Sequence, residues 1–143
     1  MNDIGCLYGK NWQTFLKTAF EISDCFSLQL NDWWGKPSGD YLGVLNDLEQ
    51  WEISPIQYDN SRKPIKVFGE YEIKFYECNF FTWKIIRQCG DWKNFVYPKY
   101  PDDICFYRNN YMWFETITHE DCMLIDGSQT EILALLKEKG CKI

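Results

Sequence analysis

The stretch Pro101 to Glu120, PDDICFYRNNYMWFETITHE, decides how the chain is read. Ile104 and Phe106 alternate with Cys105 and Tyr107. Further on, Met112, Phe114 and Thr116 alternate with Tyr111, Trp113, Glu115 and Ile117. A period of two marks β-strands, because successive side chains leave a strand on opposite faces. Between the two runs stands Asn109-Asn110, and Asn tolerates the positive φ that a two-residue hairpin turn requires. The stretch therefore predicts a hairpin that exits at His119, the only histidine in the chain. Cys122 to Ile125 adds a short third strand, giving a meander.

Working outward, Ser128 and Glu131 have the three-residue spacing of a capping box before a last helix that buries Ile132, Leu135 and Leu136, with Gly140 ending it. Upstream, Asn79 is placed to cap a helix whose stripe is Phe81, Ile85 and Cys89, with Trp83 and Ile86 beside it and Gly90 at its end. Asp91 to Tyr100 allows one further short turn. Ile65 to Cys78 reads as the longest strand, with Val67, Tyr71, Ile73 and Phe75 on one face, and Gly69 suggests a bulge. Gln57 to Pro64 reads as a polar loop, and Trp51 to Ile56 as a short extended piece that Pro55 confines to an edge or end.

At the start of the chain, Asn11 is a candidate cap for a helix with Trp12, Phe15, Leu16, Ala19 and Phe20 on one face. Cys25 to Asn31 then alternates as a strand. Asp32 to Gly39 is a Gly- and Pro-containing loop with two adjacent Trp residues. A second helix follows, capped by Ser38 or Asp40, with Tyr41, Val44, Leu45 and Leu48 buried. The expected fold is α+β: residues 1–143 as a single domain, a mixed or largely antiparallel sheet ending in a three-stranded meander, and about four packed helices.

Composition narrows the function classes. The 143 residues are 45% hydrophobic and 18% aromatic with seven Trp, too apolar for disorder. No apolar run reaches the roughly 20 residues of a transmembrane helix, and MNDIGCLYGKNW shows no secretory signal. Seven cysteines form an odd set with no C-x-x-C pair, so a reduced, cytoplasmic protein without disulfides or a zinc site is expected. No phosphate-binding loop, metal cluster or nucleophile elbow is visible, and no cofactor is expected.

Net charge is −6. Residues 1–60 hold three Lys against nine acids (3 − 9 = −6), and residues 61–143 hold twelve basic and twelve acidic residues. The acidic first part repels a nucleic-acid backbone and attracts a basic protein. Around the Trp33-Trp34 loop, a binding surface of Asp32, Trp33, Trp34, Asp40, Asp47 and Glu49 is expected, since Trp is enriched where interfaces concentrate their energy.

His119 admits three uses. With Cys105 or Cys122 it is a candidate thiol–imidazole pair, oriented by Glu120, and it is also a candidate general base for RNA cleavage. The plainer use, preferred here, is to hold the turn with its ring nitrogens. Asp102-Asp103 is a poor acid–base pair, because adjacent carboxylates diverge, and it reads as a structural turn that accepts backbone N–H groups.

The pattern Pro101-Asp102-Asp103-Ile104-Cys105-Phe106-Tyr107, then Trp113-Phe114, then His119-Glu120, resembles the form P-[DE]-D-[LI]-x-F-[FY], [WF]-[FL], H-E of small bacterial proteins. The likeness covers residues 65–139 well and the N-terminal half poorly. With the small acidic format, it is similar to immunity proteins of bacterial toxin systems, including contact-dependent growth inhibition. The resemblance implies a cytoplasmic inhibitor that binds one cognate toxin. It implies no catalytic residues, and gives Pro101, Asp102, Asp103, Phe106, Trp113, His119 and Glu120 a structural role. A small hydrolase or nuclease using His119, and an interaction module outside toxin systems, are the alternative readings.

Overall fold

The computed structural model describes residues 2–3, 7–31, 36–57 and 71–143. In chain order these form β1 (Asn2–Asp3), α1 (Gly9–Ile22), β2 (Cys25–Asn31), α2 (Gly39–Leu48), a 3-10 turn (Glu49–Trp51), β3 (Glu52–Ile53), β4 (Tyr71–Glu77), α3 (Phe80–Arg87), a 3-10 turn (Trp92–Asn94), β5 (Asp102–Arg108), β6 (Tyr111–Ile117), a 3-10 turn (Thr118–Glu120), β7 (Cys122–Ile125) and α4 (Thr130–Glu138). The strands make one sheet in the order β1-β7-β6-β5-β2-β4-β3. Every pairing in it is antiparallel. The α+β architecture is the one the sequence predicts. The pairing of β1 with β7 was not foreseen, because a two-residue strand carries no period to read.

The hairpin turn follows its chemistry. Asn109 and Asn110 both adopt positive φ, 53° and 59°, and Arg108 faces Tyr111 across the turn. Beyond the turn the alternation of β6 breaks. Phe106 pairs with Phe114 while Tyr107 pairs with Met112, so Trp113 is an extra residue, a β-bulge. The bulge sends both Trp113 and Phe114 into one core and leaves Met112 on the opposite face. A strict period of two would have placed Trp113 with Met112's neighbours across the sheet from Phe114. Two bulky aromatic side chains are gained by one core at the cost of one local break in the ladder.

All four helices contribute to that core. Trp12, Phe15, Leu16, Ala19 and Phe20 of α1, Val44 and Leu48 of α2, Ile86 of α3, and Ile132 and Leu136 of α4 cluster with Phe26, Tyr76, Ile104, Phe106, Trp113 and Phe114 of the sheet. Phe15 is at its centre, with ring contacts at 4.6 Å to Phe114, 5.7 Å to Trp113 and 6.3 Å to Phe106. The opposite sheet face carries a smaller cluster of Cys25, Phe75, Cys105, Tyr107 and Met112. β2 lies between β4 and β5, and Cys25 to Leu28 are all buried, with Phe26 and Leu28 in the larger cluster and Cys25 in the smaller one.

Several helix ends differ from the sequence expectation. Tyr8, not Asn11, stands at the N-cap of α1 and makes no side-chain cap. The Asn11 side chain instead exchanges two hydrogen bonds with the backbone of Lys142, 131 residues away. Of the two candidates before α2, Ser38 is the cap and accepts the Tyr41 N–H. No capping box precedes α4. Ser128 donates its backbone N–H and its hydroxyl to Asp126, while Glu131 approaches Arg108 at 3.4 Å. The end of α4 is as anticipated: Gly140 has φ 89°, and the Cys141 N–H reaches back to the Leu136 carbonyl at 2.9 Å, a Schellman closure.

Asn79 does cap α3, and does so reciprocally. Its side chain accepts the N–H groups of Phe81 and Thr82, and the Thr82 hydroxyl oxygen accepts the Asn79 N–H, each at 2.9 Å. The Thr82 hydroxyl also lies 2.9 Å from the Glu77 carbonyl, as its donor. This anchorage turns Thr82, Ile86 and Cys89 inward and corrects the expected Phe81, Ile85, Cys89 stripe. We expect Asn79→Ala to lower stability by about 1 kcal/mol in urea denaturation. An unchanged midpoint would show that the cap contributes nothing.

Candidate functional site

The expected binding set falls in two parts. Asp32, Trp33 and Trp34 lie outside the described residues. Asp40, Asp47 and Glu49 are exposed, but they do not form one cluster. Asp40 sits in the first turn of α2 and Glu49 just past its end. Nine residues of helical rise separate them by about 13 Å. Asp40 and Asp47, seven residues apart, share one side of the helix.

What the structure brings together shortly after Asp47 and Glu49 in the chain is aromatic. Trp51, at the end of the following 3-10 turn, stacks on Phe81 of α3 with centroids 5.6 Å apart and planes only 7° from parallel. Phe81 meets Phe80 edge-on at 5.9 Å, and Phe80 meets Trp83 at 5.6 Å. Phe80 and Phe81 are 62% and 58% exposed, although free burial would stabilise each by roughly 1.5–3 kcal/mol. Leu42 of α2 is exposed to 55%. Glu52, next to Trp51, pairs with Lys74 at 3.5 Å. The surface is thus a row of rings, with the Glu52–Lys74 pair following Trp51 in the chain. Lys84 reaches over the Phe80 ring further along.

Sequence reasoning missed this row. Trp51 read as part of an edge strand, and Phe81 as a core residue. Aromatic and aliphatic residues occupy most positions of α3, so its period alone does not fix which face is buried. The Asn79–Thr82 capping pair was the available signal, because it fixes the helix's rotation.

The Asp102-Asp103 pair is a junction. Asp102 is 4% exposed. It accepts the Tyr97 N–H at 2.6 Å and the Asn31 amide at 2.5 Å. Burial raises its pKa to about 7, and Asp103 beside it adds to the rise. Asp103 accepts the Thr118 N–H at 2.8 Å, and its own N–H donates to Phe95. Its φ is 56°, and two residues of β5 there oppose one of β2. The carboxylates accept backbone N–H groups, Asp102 from Tyr97 five residues upstream and Asp103 from Thr118 beyond β6. They join the end of β2, the 95–97 turn, β5 and the turn after β6. Pro101 beside them is buried, as are Phe106 and Trp113.

His119 does not hold its turn. Its side chain is 60% exposed, with Nε2 4.0 Å from Glu120, itself 62% exposed. Among the described residues no hydrogen bond reaches its ring. Cys105 makes a poor thiolate partner, since burial pushes its thiol well above the usual range. Cys25 and Cys89 are likewise raised to about 12 by burial. Cys25, Cys78, Cys89 and Cys105 are not joined in disulfides. The described residues contain no group of three His, Cys, Asp or Glu side chains able to hold a metal ion. No described helix is long and apolar enough to cross a membrane.

Comparison with known proteins finds no matching family model, no matching curated protein and no matching solved structure.

Proposed function

We propose that the protein is a cytoplasmic immunity protein that binds and neutralises a cognate bacterial toxin, a nuclease with a basic surface. The observation that carries this reading is the Trp51–Phe81–Phe80 row, with both phenylalanines exposed and Trp51 half-buried, which follows the exposed Asp47 and Glu49 closely in the chain. Large exposed rings anchor protein interfaces, and surrounding carboxylates steer a basic partner towards them. A nuclease needs cations to hold its phosphate substrate, so the same cations suit a carboxylate-rich inhibitor. The acidic excess of the first 60 residues, to which Asp32 and Asp40 belong, suits the same basic partner.

The test is co-expression with the toxin domain encoded beside its gene, followed by titration of the purified pair. Wild type is expected to restore growth and to bind tightly. Trp51→Ala with Phe81→Ala is expected to weaken binding at least about 30-fold, from a loss of about 2 kcal/mol or more. Asp47→Lys with Glu49→Lys is expected to slow association and to flatten its salt dependence. Unchanged affinity in both variants would move the interface elsewhere. Failure of the wild type to bind or to protect would remove the toxin reading itself.

A further inference from the structure

At the Trp83 end of the aromatic row, a groove of about 660 Å³ runs along α1 between α3 and the end of α4. Its charge runs opposite to that of the chain. Lys10 and Lys17 of α1, Arg87 of α3 and Lys139 after α4 face it, against one acid, Glu21. That is a local balance of +3 (4 − 1), leaving −9 for the rest of a chain of −6. Among the described residues, none of the four cations is in an ion pair.

Trp83 forms part of the wall. Lys17 Nζ is 5.6 Å and Arg87 Cζ 5.1 Å from the centroid of its ring. Each cation gains from the ring's quadrupole, and neither is in an ion pair among the described residues. The Trp83 indole N–H is buried and has no acceptor, a condition that native structures rarely leave in place. A bound anion offsets the excess positive charge of the groove and supplies it with further acceptor oxygens.

The spacing narrows the class of anion. Lys10 and Lys17 are seven residues apart on one helix, about 10 Å along its axis. A carboxylate or a single phosphate reaches only part of such a row. A chain of phosphates runs along it, with the guanidinium available for two-pronged contact. The volume lies in the range of small-ligand sites, about 300–1,000 Å³.

We propose that this groove binds a small polyphosphate anion, of the kind carried by nucleoside triphosphates. The proposal rests on the groove alone and is independent of the toxin reading. The probes are sodium triphosphate, ATP and inorganic phosphate, titrated calorimetrically into the full chain at moderate salt. Triphosphate and ATP are expected to bind saturably, at about millimolar Kd or tighter, with inorganic phosphate at least tenfold weaker. Affinity should fall with added salt, since the contacts are ionic.

Lys17→Gln with Arg87→Gln is expected to lose at least tenfold in affinity while circular dichroism stays unchanged. Lys10→Gln with Lys139→Gln, which leaves the Trp83 ring contacts intact, is expected to weaken binding as well. Asp47→Asn with Glu49→Gln should bind the probes as wild type does. ATP binding without triphosphate binding would overturn the proposal, because the ligand would then be read by its base. Absence of saturable binding by either, or both cation pairs being dispensable, would overturn it equally.

Discussion

Trp113→Ala is expected to cost about 3–5 kcal/mol of folding stability, the range for removing a large aromatic side chain from a packed core. Trp113 is completely buried. Its ring packs against Phe15 at 5.7 Å, Phe114 at 5.9 Å and Phe106 at 6.0 Å. Its indole N–H donates to the Ser23 hydroxyl at 3.0 Å, and Ser23 is itself buried between α1 and β2. Alanine therefore removes the ring, leaves a cavity among three aromatic neighbours and deprives a buried hydroxyl of its partner. Trp113→Phe retains most ring contacts and loses the hydrogen bond, so its loss should be clearly smaller. Trp51→Ala, which removes a stacked but partly exposed ring, should cost no more than about 1.5 kcal/mol. Urea denaturation of the three variants checks the order. Equal losses for Trp113→Ala and Trp51→Ala would show that the bulge does not concentrate the core at Trp113.

The second large effect is a fall in stability with rising pH. Burial is the main cause that raises the Asp102 pKa, to about 7, whereas an Asp in an unfolded chain titrates near 3.9. Between those values the folded state keeps a proton that the unfolded state has lost. Stability from this group is fully present below about pH 4 and declines until about pH 7, where the slope ends. The full difference is on the order of 4 kcal/mol, three units at 1.36 kcal/mol each. Asp103 is shifted in the same direction, mainly by burial, and adds to the trend. Asp102→Asn supplies a neutral side chain that still accepts the Tyr97 N–H. The variant loses an acceptor for the Asn31 amide, but its stability relative to wild type should rise between about pH 4 and about pH 8. Denaturation curves across that range test this. A constant difference between the two proteins would mean that Asp102 does not keep its proton in the fold.

This titration joins the hairpin to the rest of the molecule. Asn31, which contacts Asp102, is the last residue of β2 and directly precedes Asp32. Tyr97 belongs to the turn before β5, and the Pro98 carbonyl in that turn accepts the Ser38 N–H at the start of α2. The Pro-Asp-Asp segment therefore fixes where α2 begins relative to the sheet. By that route it bears on the position of Asp47, Glu49 and Trp51 without being part of the proposed binding surface.

Local, repeated patterns in the sequence sufficed for the hairpin and its Asn-Asn turn, the buried stripe of α1, the Asn79 cap and the Gly140 stop. Each depends on residues within a few positions of one another, so period and turn chemistry determine it. The acidic first 60 residues were equally legible, because charge simply adds. Tertiary contacts decided the remainder. The bulge at Trp113 exists because the core has room for two adjacent rings, and no alternation announces that. Asn11 abandons its capping position for a partner 131 residues away. The rotation of α3 is set locally by Thr82 with Asn79 and Glu77, but the stacking of Phe81 on Trp51 depends on α3 packing beside the end of α2. The cationic groove has the same origin: Lys10, Lys17, Arg87 and Lys139 belong to three helices and meet only when those helices pack. Sequence determines what each segment does by itself. Which faces meet, and therefore which surfaces remain to bind anything, is decided by packing between segments distant in the chain.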